Sequence, residues 1–135
     1  GYAGSNIAAP TIEPGMVVCI DTEKTETLTL CRKAYDRTTV GIISGAGGIG
    51  TGMHLGKISN TLSGEHPIAL SGRVYCWTDA TIAPIEIGDF LTTSNSLGHA
   101  MKATDYDRAR GAIVGKAMTA LDSGKGLVLV FVALQ

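Results

Sequence analysis

Gly45-Ala46-Gly47-Gly48-Ile49-Gly50 matches the G-x-G-x-x-G spacing whose backbone amides can cradle a pyrophosphate, and Glu65 stands twenty positions after Gly45. That chemistry needs a helix directly behind the loop, because the helix N-terminus supplies the amides. Here Gly52 and Gly56 follow, with no helical apolar period and no βαβ context, so no dinucleotide site and no cofactor are expected. The three cysteines, Cys19, Cys31 and Cys76, form no C-x-x-C and have no histidine at finger spacing, which argues against zinc. Cys19 and Cys31 lie symmetrically about Thr25 in two apolar runs. A hairpin centred there would bring the thiols face to face, as a cross-strand disulfide or as two buried thiols. Cys76 reads as a small apolar strand residue.

His54, His66 and His99 are scattered, without a second histidine at i+4 or a carboxylate cluster, so no metal site is expected. Ser71, His66 and Asp79 can be picked as a hydrolytic set, but no nucleophile elbow links them. Asn60-Thr61 is the pair a self-cleaving domain would use. Asp105, Asp107, Arg108 and Arg110 form a charged cluster that reads as a solvated turn or as a subunit-contact patch. Tyr75 and Trp77 flank Cys76 on one strand and so share a face. Such a pair serves as a carbohydrate platform, or as core packing or an oligomer seam.

The elements that must position these residues are short and extended. Runs rich in Val, Ile, Thr and Leu at 16–21, 27–33, 39–44, 67–77, 89–93, 99–104, 111–118 and 127–134 predict about eight short strands. Residues 105–110 are long enough for one helical turn and no more. Without an amphipathic helix, the fold class is all-β, a compact small barrel or sandwich. Residues 1–11 read as an extended N-terminal arm that includes Tyr2, and 12–135 as a single β domain. Residues 45–64 read as an irregular glycine-rich insertion, and Gly45, Gly47, Gly48 and Gly50, with Tyr2, Tyr75 and Trp77, are candidate interface residues.

The domain also contains an internal pseudo-repeat. Ile12-Glu13-Pro14-Gly15-Met16-Val17-Val18 aligns with Ile85-Glu86-Ile87-Gly88-Asp89-Phe90-Leu91, an offset of 73, and Val40-Gly41 aligns with Val114-Gly115 at 74. This suggests two half-units, about 12–77 and 85–135, around one core.

Composition limits the partners. The chain of 135 residues carries 11 basic and 12 acidic side chains, which argues against a nucleic-acid surface. Its longest apolar run, 127–134, is far short of a membrane-spanning helix of about 18 residues. Only 17% of residues are charged, below the roughly 25–35% usual for a surface, so other chains are expected to cover part of this one. Glycine reaches 18 residues, roughly twice ordinary usage, without the period of collagen.

At Pro67-Ile68-Ala69-Leu70-Ser71-Gly72-Arg73-Val74, Ile85-Glu86-Ile87-Gly88-Asp89-Phe90-Leu91-Thr92-Thr93-Ser94, Gly98-His99-Ala100-Met101-Lys102-Ala103-Thr104 and Val114-Gly115-Lys116-Ala117, the chain resembles a known β domain. That domain recurs at the C-termini of phage tail-fibre-like proteins and of long, secreted, repetitive bacterial proteins. The Pro14-Gly15 turn and the paired Val-Gly strands are more distantly similar to the small-barrel plan of phage head-decoration proteins. Both resemblances imply a structural, non-enzymatic protein of the extracellular space or the virion that assembles with itself, as a trimer or a filament. Neither supplies catalytic residues. The Cys19 and Cys31 pair and the glycine-rich insertion depart from the pattern. Two other readings stand beside assembly: a module that binds a surface glycan, and a self-cleaving assembly domain.

Overall fold

In the computed structural model, residues 11–48 and 66–135 are described in full and 54–57 by their backbone. The eight expected strands are present, with two differences. The run 67–77 is broken into β5 (Pro67–Ala69) and β6 (Gly72–Asp79), because the chain turns at Gly72, where φ is +84°. The insertion is not wholly irregular: β4 (His54–Lys57) lies within it and pairs with β5. The other strands are β1 (Val17–Ile20), β2 (Leu28–Leu30), β3 (Thr39–Ile43), β7 (Phe90–Thr93), β8 (Ala100–Lys102), β9 (Ile113–Ala117) and β10 (Lys125–Val132). One helical turn, α1 (Tyr106–Ala109), follows β8 and is capped by Asp105, whose carboxylate accepts from the Arg108 amide.

The strands form two sheets. One is an open five-stranded sheet in the order β2-β1-β3-β5-β4; the other closes into a barrel in the order β9-β10-β6-β8-β7. The orders superpose half on half: β2-β1-β3-β5-β4 becomes β8-β7-β9-β10-β6. Register agrees as well, since Val18 pairs with Gly41 where Leu91 pairs with Gly115. A Cβ on Gly41 would lie 2.6 Å from the Ala69 carbonyl oxygen, and one on Gly115 would strike that of Phe131. Both glycines therefore let two strands approach closely. At the turns before β1 and β7, Gly15 (φ +93°) donates to the Ile43 carbonyl and Gly88 (φ +94°) to that of Ala117. β6 pairs along its whole length with β10.

Alternation explains the core. Val17, Cys19, Ile42 and Ala69 of the open sheet face Val74, Cys76, Leu91, Val114, Val128 and Val130 of the barrel in one buried cluster. The intervening Val18, Ile43 and Ile68 join Leu28 and Leu30 in a second cluster, with Ile12, Met16 and Leu97 packed against it. Fully burying each such aliphatic side chain contributes about 1.5–3 kcal/mol. The sheets are also bonded through turns, with Trp77 N donating to Gly15 O at 2.8 Å and Val17 N to Gly98 O at 2.9 Å.

Candidate interface

Successive residues of β6 point to opposite sides: Val74, Cys76 and Thr78 are buried, while Arg73, Tyr75 and Trp77 lie on the outer face. The ladder sets Trp77 opposite Leu127, Tyr75 opposite Leu129 and Arg73 opposite Phe131. Phe131 in turn lies opposite Lys116 of β9, and Lys116 opposite Phe90 of β7, with the ammonium 5.0 Å from the Phe90 ring centroid. A row of cation, aromatic, cation, aromatic thus crosses the outside of the barrel. Phe131 is 51% exposed, and Met118, whose amide donates to Leu129 O, is also exposed. The sequence reading missed Phe131 and Met118. Its available signal was the unbroken apolar run of β10, which implies cover on both faces of the strand.

Of the residues expected at an interface, the structure brings Gly45, Gly47, Tyr75 and Trp77 together, and the contacts they make are within the chain. A Cβ on Gly47 would lie 2.6 Å from Tyr75 Cδ2, so the turn at Ala46–Gly48 rests on the Tyr75 ring. Ala46 and Trp77 both approach Gly15, and Gly45 faces Pro14. A Cβ on Gly48 would meet nothing within 4 Å among the described residues. Residues 1–10 of the arm, including Tyr2, lie outside the described residues, as do Gly50, Glu65 and Asn60-Thr61. The Trp77 ring also meets His99, with centroids 5.9 Å apart, and His99 Nδ1 is 2.8 Å from Leu97 O.

Cys19 and Cys31 are joined in a disulfide with Cα atoms 5.0 Å apart. The register differs from the symmetric hairpin: Cys19 lies opposite Thr29, and Cys31 N donates to Val17 O, so the bridge runs diagonally. Burial pushes the Cys76 thiol up to about 12, and it donates to the Trp77 carbonyl at 3.2 Å. It is therefore a protonated, unreactive core group at neutral pH.

Asp79 does not join His66 and Ser71. Its carboxylate accepts from the Thr81 amide and hydroxyl and from the Ser96 hydroxyl. Burial raises its pKa, but these bonds and the charge of Lys125 outweigh that and bring it to about 2. Asp79 thus ties the end of β6 to the turn before β8. The charged cluster at 105–110 is more than a solvated turn, because Tyr35 reaches it. Thr104 and Asp105 amides each donate to Tyr35 Oη at 3.0 Å, and the Arg108 guanidinium lies 4.5 Å from the ring centroid. Partial burial raises the Tyr35 phenol, yet the bonds from the Thr104 hydroxyl and the two amides leave it below its ordinary value. Tyr35 holds φ at +56°, strained for an aromatic residue, and this contact offsets the strain.

The latch belongs to the repeat. Tyr35-Asp36-Arg37 recurs as Tyr106-Asp107-Arg108, so a tyrosine of the first half grips the arginine of the second. The duplicated tripeptide was the signal for this site. Among the described residues, no group of three or more His, Cys, Asp or Glu is arranged to hold a metal, and no helix is long and apolar enough to cross a membrane.

No protein-family model, curated protein or solved structure matches the chain.

Proposed function

We propose that this domain is a non-enzymatic structural module that self-associates into an extracellular filament or a virion tail or decoration structure. The observation that carries the reading is the outer barrel face, where Phe131, Met118, Leu129 and Phe90 form an apolar surface interrupted by Lys116 and Arg73. Ile87 and Tyr106, 72% and 68% exposed, add further apolar surface. Apolar surface of this kind usually marks contact with another protein. Light scattering with electron microscopy of the purified protein is expected to find defined oligomers or filaments. Monomer alone at high concentration would overturn the reading. Glycan binding through Tyr75 and Trp77 is the weaker alternative, because Gly47 already occupies the Tyr75 ring. Trp77→Ala would abolish binding on a glycan array if that alternative were correct.

A further inference from the structure

We propose that Tyr106 of one copy seats in loop 32–37 of a second copy, repeating between chains the contact that Tyr35 makes within one chain. The inference rests on the assembly reading above and names one contact by which assembly would proceed.

Ladder register defines the equivalence. Val18 pairs with Leu30 as Leu91 pairs with Lys102, so Arg32 and Lys33 occupy the positions of Thr104 and Asp105. The shared tripeptide lies at an offset of 71, one residue out of that ladder offset of 72, and sets Arg37 against Arg108. In the second half this receptor is filled, because the Thr104 and Asp105 amides hold Tyr35 Oη and Arg108 stacks on its ring. In the first half its counterpart is open. Among the described residues, the Arg32 and Lys33 amides form no hydrogen bond, and the exposed Arg37 guanidinium forms no ion pair or ring contact. The remaining tyrosine is equally open: Tyr106 is 68% exposed and makes no hydrogen bond or ring contact among the described residues.

Among the described residues, Tyr106 and the 32–37 loop are thus both unengaged, and each is built on the plan of a contact that already works inside the chain. The contact runs one way within the chain, from first half to second. A second copy extends it head to tail, and a heterologous contact of this kind closes into a ring or continues as a filament. Charge favours the pairing, since Arg32, Lys33 and Arg37 would meet Asp107 beside Tyr106. Arg110 on the same segment opposes that attraction in part, so the ring stack and the two amides set the register.

The test uses sedimentation velocity on the whole chain and on Tyr106→Ala, Tyr106→Phe and Arg37→Glu. Both altered positions are exposed, and unchanged melting temperatures would establish that the variants fold. Tyr106→Ala and Arg37→Glu are each expected to weaken self-association by about tenfold or more, with Tyr106→Phe intermediate because it keeps the ring. An equal mixture of Tyr106→Ala and Arg37→Glu retains one intact receptor and one intact tyrosine. It is expected to form a one-to-one dimer that grows no further. If the unaltered chain assembles and Tyr106→Ala assembles with equal affinity, this contact is overturned while the assembly reading stands. Failure of the mixture to dimerise overturns the contact in the same way. A purely monomeric unaltered chain overturns both.

Discussion

Asp79 shows how a single carboxylate can carry a pH dependence without doing catalysis. Its folded pKa of about 2 lies below the roughly 3.9 of an unfolded aspartate, so it stabilises the fold above about pH 4. That contribution is lost as pH falls from about 4 through 2. Urea midpoints measured across this range are expected to drop for the unaltered protein, and Asp79→Asn should flatten that part of the profile. The sequence offered Asp79 as one member of an arbitrary hydrolytic set, because one-letter spacing carries no information about partners in space. Its actual partner, Ser96, is 17 positions away in the turn that the open sheet and barrel share. Tyr35 was hidden for the same reason: its partners are 69 and 70 positions distant, and only the repeated Tyr-Asp-Arg hinted at them.

Strand identity was largely legible, since runs of β-branched and apolar residues bounded by glycine mark an extended chain. Pairing was less so. The hairpin of β1 and β2 slips from the symmetric register, and the disulfide spans the ladder diagonally. Cross-linking residues 12 apart restricts the unfolded chain, so Cys19→Ala with Cys31→Ala should lower unfolding free energy by about 3 kcal/mol in denaturant titrations. The glycines of β3 and β9 make a sharper test, because Gly41 and Gly115 occupy equivalent ladder positions against a carbonyl. Gly41→Ala and Gly115→Ala should each cost about 2 kcal/mol or more, measured the same way, since backbone must move to admit the methyl group. A neutral result at either position would break the equivalence between the halves.

For the whole molecule, the pseudo-repeat was visible as two short landmarks, Ile12 to Val18 and Val40-Gly41, with their counterparts. What it could not reveal is that the halves differ in closure, one sheet open and the other a barrel. That difference depends on β6, which leaves the first half at Gly72 and pairs along its length with β10. Tyr75 and Trp77 of the outer face were legible, but Phe131 and Met118 were not, because the same apolar alternation describes residues covered by their own chain and residues awaiting another. Phe131→Glu should separate the two uses. Its melting temperature is expected to stay within about 1 °C of the unaltered protein, while light scattering shows weaker self-association. The parallel pairing of Thr78 with Ala100 that completes the barrel has a consequence for misfolding. A closed barrel has no free strand edge to recruit another chain into a cross-β stack, so that hazard is confined to the open sheet. There β2 offers three residues between charged neighbours, Lys24 and Glu26 before it and Arg32 and Lys33 after it, which discourages runaway edge pairing.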